Sequence, residues 1–157
     1  MASDPLNGNN ALNIDAKDTL EIAELHSRYY LCTDDKDVRG FMDCWVDDGF
    51  EGFFGPFGDF VDRESLEKFE YEHVNGGLAE GKRHFVDNLT LKQGFESGTV
   101  FATSYMIVVE VQGPPRIVAT GLYRDSVVRR TRSGFKFVRR ELVLDPGFDA
   151  LQSEASE

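Results

Sequence analysis

The sequence contains few cysteines and no long hydrophobic run, and both absences narrow what the protein can be. Its two cysteines, Cys32 and Cys44, lack the CxxC spacing of metal or redox pairs, so we expect packed free thiols. No stretch approaches the ~18 apolar residues that a membrane span requires. The N-terminus also lacks the basic segment and the apolar run of a secretion signal. The sequence therefore predicts a cytoplasmic protein.

Basic residues are scarce as well. There are 17 of them against 28 acidic residues, and the formal charge of −11 would repel nucleic acid and anionic membrane surfaces. The three histidines, His26, His73 and His84, are too widely spaced for a mononuclear iron or zinc site, and no HExxH motif is present. We therefore expect no metal, no cofactor, no nucleic-acid partner and no membrane partner.

The chain length of 157 residues fits one domain with a substantial core. Residues 1–16 are rich in Asn, Asp and Gly and predict a disordered N-terminal tail. Residues 151–157 predict a short acidic C-terminal tail for the same reason. A single domain is expected between them, over residues 17–150.

Helical periodicity dominates the first half of this domain. Apolar residues recur at helical spacing from Asp18, a plausible N-cap, to Asp34. Asp37 can cap a second, short helix that carries residues up to Trp45. A third helix is expected over residues 63–75, because Gly76 and Gly77 follow it.

The remaining segments have strand character. Residues 50–60 mix aromatics with glycines and predict two short strands around a turn. Four longer strands, over residues 83–92, 99–112, 116–129 and 135–144, are joined by turn-rich links and predict an antiparallel meander. The predicted fold class is α+β: a cone-shaped, curved antiparallel sheet whose concave side is covered by three N-terminal helices that enclose a pocket.

The strand over residues 99–112 carries large apolar residues on both faces. In a monomer, the outer set would form an exposed hydrophobic patch. We therefore expect a homodimer or homotrimer.

Asp34 and His84 are the residues most suited to proton transfer. Strand alternation places His84, Val86, Asn88 and Thr90 on one face, and a carboxylate at the end of the first helix could reach an imidazole there. Tyr30 shares the helix face of Asp34, whereas Tyr29 points away from it. On spacing alone, Asp34 could equally be a loop carboxylate and His84 a satisfied core residue.

The order of motifs resembles the SnoaL-like branch of the nuclear-transport-factor-2-like superfamily, with its cystatin-like cone. The segments that carry this resemblance are residues 22–45, 84–88, 102–105, 121–125 and 134–140. Similar members include scytalone dehydratase, hexachlorocyclohexane dehydrochlorinase and bile-acid dehydratase. The resemblance implies that Asp34 and His84 form a proton-abstracting dyad and that Tyr29 is an active-site tyrosine; helical spacing prefers Tyr30, so both remain candidates.

The resemblance also sets the expected function. It implies a cofactor-independent lyase or isomerase, of dehydratase, dehydrohalogenase, isomerase or polyketide-cyclase type, acting on a hydrophobic cyclic small molecule. The alternative is a non-catalytic protein: a relative of the small β subunits of ring-hydroxylating dioxygenases, or a small-molecule-binding protein. Two departures, Glu110 and Leu144 at positions where relatives have a pocket histidine and an arginine, leave the substrate open.

The expected substrate-binding residues combine apolar walls with a few polar groups. Arg140 is included because it lies on the last strand and can point inward. The full set is Trp45, Phe53, Phe54, Phe57, Phe69, Val86, Asn88, Met106, Glu110, Phe137 and Arg140.

Overall fold

The computed structural model describes residues 14–147 apart from Ser97. Residues 1–13 and 148–157, which contain most of the two predicted tails, lie outside the described residues. Ile14 already packs against the hydrophobic core. The folded region therefore includes residues slightly before the predicted boundary at residue 17.

Helix α1 (Ala16–Asp34) begins one turn earlier than predicted. Its N-cap is Asp15, whose carboxylate accepts the backbone N–H of Asp18 at 2.8 Å, so the assignment of the cap to Asp18 was wrong. The helix ends at Asp34, as its periodicity indicated. Its buried face contains Ile22, Leu25, His26, Tyr29, Tyr30, Cys32 and Thr33.

The next two helices follow the sequence signals closely. Asp37 caps α2 (Val38–Asp43) by accepting the backbone N–H of Gly40 at 2.9 Å. Helix α3 (Arg63–Asn75) starts after Asp62 and ends where Gly76 and Gly77 leave the helical path, Gly77 with a φ of 92°. None of these three helices, in the described part of the chain, has the length and apolar character needed to cross a membrane.

Within the described residues, the sheet has six strands in the order β2-β1-β6-β5-β4-β3. The strands are β1 (Glu51–Phe53), β2 (Asp59–Phe60), β3 (Lys82–Gln93), β4 (Thr99–Glu110), β5 (Arg116–Thr131) and β6 (Gly134–Leu144). Strands β3 to β6 form the predicted antiparallel meander, and β1 joins β6 in parallel. A short 3₁₀ turn, Gly55–Phe57, separates β1 from β2.

A bulge in β3 changes which of its side chains face inward. The pairing with β4 shifts register between Asp87 and Thr90, and Asn88 adopts a φ of 55°. The extra residue reverses the alternation, so Leu89 is partly buried and Asn88 is exposed. The prediction that Asn88 and Thr90 share the inner face with His84 was therefore wrong.

The outer face of the sheet is apolar and exposed. Cross-strand neighbours Phe85 and Ile107 are 52% and 37% exposed, and Tyr105 is 55% exposed opposite Leu122. Ile117, which pairs with Val109, is 59% exposed. Because no helix covers these positions in the described part of the chain, they form one continuous patch, here called the outer patch.

The conformation at Asn88 yields a stability prediction. Asn88→Val should reduce the free energy of unfolding by about 1–2 kcal/mol, because a β-branched residue is strained at positive φ. Asn88→Gly should be tolerated. Urea unfolding measures both, and Thr90→Val, the same kind of substitution two residues later, is the matched control. Equal losses at residues 88 and 90 would contradict the assigned conformation.

The outer patch predicts self-association, as the sequence did. Light scattering should report a dimer or trimer, and Tyr105→Glu together with Ile107→Glu should shift the protein to a monomer by placing charge in the buried interface. The control is Tyr71→Glu, which alters an exposed aromatic on α3 and should leave the oligomer unchanged. A wild-type monomer at micromolar concentration would contradict the prediction.

Candidate active site

A cavity of about 740 Å³ lies between the helices and the concave face of the sheet. Its walls are mainly aromatic and aliphatic. They include Tyr29, Tyr30, Phe41, Phe54, Phe57, Phe69, Leu78, Met106, Val108, Val118, Ala119, Tyr123, Leu142 and Leu144. Its polar lining consists of Thr33, Glu70, His73, Lys82, His84, Glu110 and Arg116. This volume suits a small hydrophobic molecule held by a few polar groups.

Asp34 contacts His84 through both carboxylate oxygens. Oδ1 lies 2.6 Å from Nδ1 of the imidazole, and Oδ2 accepts the backbone N–H of the same residue at 3.0 Å. Their side chains are 11% and 8% exposed, and His84, unlike Asp34, lines the cavity. Since a carboxylate only accepts, the proton is on Nδ1. Nε2 then carries the free lone pair and has no hydrogen-bond partner among the described residues.

Two tyrosines of α1 line the cavity beside this imidazole. The ring of Tyr30 stacks on His84 with 5.0 Å between centroids and 6° between planes, and its hydroxyl donates to the hydroxyl of Tyr123. Tyr29 is packed between Phe41 and Phe137. Burial raises the pKa of both α1 tyrosines well above the usual range, so both hydroxyls keep their protons.

Arg140 lies beneath these tyrosines and not in the cavity lining. It is fully buried, with its guanidinium carbon 3.7 Å from the ring centroid of Tyr123, 4.3 Å from that of Tyr29 and 4.2 Å from that of Phe137. None of its three guanidinium nitrogens has a hydrogen-bond partner within the described ranges. The cation is therefore held on aromatic faces.

A second pair of titratable side chains projects from α3. Glu70 is 2% exposed, and Oε1 of its carboxyl is 2.7 Å from the hydroxyl of Thr33. Burial raises the pKa of Glu70 to about 7, with a further increase from the charge of Asp34. Burial lowers the pKa of His73 to about 4, and its Nδ1 is buried without a partner in the described structure. Both groups are neutral under mildly acidic conditions.

The exposed end of the cavity carries the remaining charges. Arg116 pairs with Glu110 at 2.5 Å, and the ammonium of Lys82 donates to the carbonyl of Leu78 at 2.5 Å. Glu110 therefore lines the cavity as predicted, but within an ion pair. No group of three His, Cys, Asp or Glu side chains in residues 14–96 and 98–147 is arranged to hold a metal ion.

Several predicted wall residues lie outside the cavity lining. Trp45 and Phe137 are fully buried in the core beneath it, where a backbone bridge joins them. Phe53 packs under Arg139, because β1 pairs with β6. Val86 is partly buried against the core. These four residues, and also Asn88 and Arg140, therefore do not line the cavity, contrary to the prediction. The predicted wall residues that do line it are Phe54, Phe57, Phe69 and Met106.

Sequence reasoning missed Glu70, His73, Thr33 and Tyr123. Helical periodicity held the only available signal for Glu70, since it lies four residues after Leu66 and four before Val74 on the buried face of α3. A charged residue on such a face is rare and indicates a special environment. Tyr123 had no comparable local signal, because its contact with Tyr30 depends on the sheet register.

The sequence model of a family described as the SnoaL-like domain matches residues 15–141. None of the curated proteins matches this sequence.

Solved structures share the fold. A protein of unknown function with a cystatin-like fold from Nostoc punctiforme is 24% identical, with a TM-score of 0.76 over 87% of this chain and 98% of that one. An NTF2-like protein from Novosphingobium aromaticivorans is 27% identical, with a TM-score of 0.71 over 87% and 88%. A protein of the same organism, provisionally named a scytalone dehydratase, is 18% identical, with a TM-score of 0.66 over 82% and 85%.

His73 yields a prediction on acid stability. Between pH 6.5 and about 4 the unfolded chain binds a proton that the folded chain does not, so the free energy of unfolding falls as the pH falls. His73 contributes on the order of 3 kcal/mol at most. Urea unfolding should show a smaller acid loss for His73→Gln than for wild type. An unchanged loss would mean that His73 is not held neutral.

Proposed function

This chain belongs to the SnoaL-like domain family, and we propose that it is a cofactor-independent lyase or isomerase acting on a hydrophobic cyclic small molecule. One observation carries the proposal. Asp34 holds Nδ1 of His84 at 2.6 Å, while the imidazole lines a largely aromatic cavity. A base fixed in one tautomer against an apolar binding space is what proton abstraction from carbon requires.

In the proposed reaction, Nε2 of His84 removes a proton from the substrate. Asp34 keeps Nδ1 protonated and stabilises the imidazolium that forms. The side-chain exposures of 8% and 11% mean that little water surrounds this ion pair, which strengthens their attraction. The proton transfers themselves need no redox or group-carrying cofactor.

Tyrosine hydroxyls are proposed to bind the substrate oxygen. Tyr29 and Tyr30 both line the cavity and keep their protons. Since the hydroxyl of Tyr30 already donates to that of Tyr123, the proton of the latter remains for a substrate. Such donors stabilise the negative charge that develops on oxygen when a neighbouring carbon is deprotonated.

The fold comparison gives the architecture and names neither the reaction nor the substrate. The structural relative provisionally named a scytalone dehydratase has the same architecture at 18% identity, which extends to the fold alone. The choice of lyase or isomerase therefore depends on the residues of this chain.

The outer patch favours a second candidate. Exposed Phe85, Tyr105 and Ile117 could bind another protein, as expected for a non-catalytic small-subunit-like partner of a ring-hydroxylating dioxygenase. A small-molecule-binding protein would use the cavity alone. Neither function requires His84 to transfer a proton, so a direct measurement of proton abstraction separates them from the enzyme.

The proposed base can be tested without knowing the natural substrate. In D₂O, the wild-type protein should accelerate hydrogen–deuterium exchange at the carbon next to the carbonyl of a phenyl-substituted cyclohexanone, followed by NMR. Asp34→Asn and His84→Gln should each reduce the exchange rate by about 10²–10⁴, because they remove the orienting charge or the base.

The matched control is Asp35→Asn, which removes an exposed carboxylate one residue later. It should leave both exchange and thermal stability unchanged. If Asp34→Asn lowers the melting temperature strongly while exchange persists, the pair is structural and the non-catalytic candidates are favoured.

A further inference from the structure

Glu70 is a buried carboxyl that the proposed mechanism has not used. It lines the cavity from α3 and is 2% exposed. Its only hydrogen bond within the described residues is to the hydroxyl of Thr33, at 2.7 Å. No Lys, Arg or His nitrogen comes within 4.0 Å of its oxygens in the same part of the chain. A carboxylate without a cation in such a place is strongly disfavoured, so the group retains its proton.

The surroundings of Glu70 support this assignment. One neutral hydroxyl, that of Thr33, favours ionisation, while burial and the charge of Asp34 oppose it and set the pKa at about 7. Lys82 is held by the carbonyl of Leu78. The titratable groups that line the same cavity are Tyr29 and Tyr30 from α1, His73 from α3, Lys82 and His84 from β3, Glu110 from β4, and Arg116 and Tyr123 from β5. Two further charged groups lie outside the lining: Asp34, which contacts His84, and Arg140, which lies beneath the tyrosines.

The position of Glu70 relative to His84 is set by two adjacent residues of α1. Thr33 contacts the carboxyl of Glu70, and Asp34 contacts the imidazole of His84. Glu70 and His84 line the same cavity, and the last turn of α1 contacts both of them. One is a proton acceptor and the other a neutral acid.

We propose that Glu70 is the general acid of the site and that the reaction is the dehydration of a hydroxylated hydrophobic ring. This inference rests on the proposed function of His84. As Nε2 takes the proton from carbon, the C–H electron pair forms the new double bond and the C–O bond breaks. The Glu70 proton moves to the departing oxygen and yields water. A proton then returns from the imidazolium to the carboxylate through solvent.

A general acid at this position favours dehydration over loss of halide, because the two leaving groups differ in their need for a proton. Hydroxide leaves poorly and needs protonation as the C–O bond breaks. Halide leaves without a proton, so a dehydrohalogenase would gain nothing from burying a neutral carboxyl at the cost this entails. The neutral Glu70 therefore points to an alcohol substrate.

The protonation of Glu70 can be measured without any substrate. Infrared spectra should show a carboxylic-acid carbonyl band that disappears near pH 7, is absent from Glu70→Gln and is retained in Glu72→Gln, an exposed position on the same helix. Thr33→Val should shift its disappearance to higher pH, because the hydroxyl favours the ionised form. If the Glu70 band is absent already at about pH 5.5, the acid role is overturned.

The catalytic role is tested with two probes that differ only in the leaving group: the β-hydroxy and β-chloro derivatives of phenyl-substituted cyclohexanone. Glu70→Gln should slow elimination of water about 10²–10³-fold and elimination of chloride by less than about threefold. His84→Gln should slow both. The water-elimination rate of the wild type should also fall above pH 7, where Glu70 ionises, while the chloride rate does not.

Equal losses of both rates in Glu70→Gln would overturn the proposal and leave Glu70 as a structural residue. The proposed function itself would be contradicted if the wild type eliminated neither water nor chloride from the probes and did not accelerate hydrogen–deuterium exchange of the cyclohexanone. In that case the infrared titration still decides whether Glu70 holds a proton.

Discussion

The contact between Asp34 and His84 fixes how the helical layer sits against the sheet. One carboxylate oxygen holds the backbone N–H at the start of β3, and the other holds Nδ1 of the imidazole. Burying a carboxylate is costly unless donors satisfy it, and a single residue supplies both donors. Because the same side chain sets the layer spacing and the ring orientation, any shift of α1 along the sheet would redirect Nε2.

A buried cation lies behind the tyrosine wall. Arg140 rests on the rings of Tyr123, Tyr29 and Phe137 with no carboxylate partner among the described residues. Burial raises the pKa of Tyr29 and Tyr123, and the charge of Arg140 opposes that increase. This charge also contributes, after burial, to lowering the pKa of the neighbouring His26 to about 3. If the tyrosine hydroxyls bind a substrate oxygen, this cation favours negative charge on that oxygen.

The sequence predicted the architecture well because periodicity, caps and turns are local signals. All three helices and the four-strand meander lie where those signals placed them, apart from the first turn of α1. The errors have a non-local origin. Asn88 faces solvent because a bulge shifts the pairing of β3 with β4. The alternation of His84 and Val86 within β3 alone does not reveal that shift.

Site prediction failed in a related way. The pair of Asp34 and His84 emerged from a family resemblance, and spacing alone left it open. Glu70 was overlooked although its position on the buried face of α3 was readable, because a single charged residue is easily assigned to the solvent side of a helix. Tyr123 became relevant, and the place of Arg140 beneath the tyrosines became clear, only once the register of β5 and β6 was known.

Three buried polar groups at the cavity, His73, Glu70 and Arg140, are best explained together by function. Neutral His73, protonated Glu70 and unpaired Arg140 each oppose folding, since each loses water without gaining a charged partner. A domain with an otherwise aromatic core could replace them with apolar residues and gain stability. Two of the three line the cavity, the third lies beneath its tyrosines, and Glu70 is held one residue away from the anchor of His84. Local conflicts of this kind concentrate at sites where function, and not stability, determines the residue.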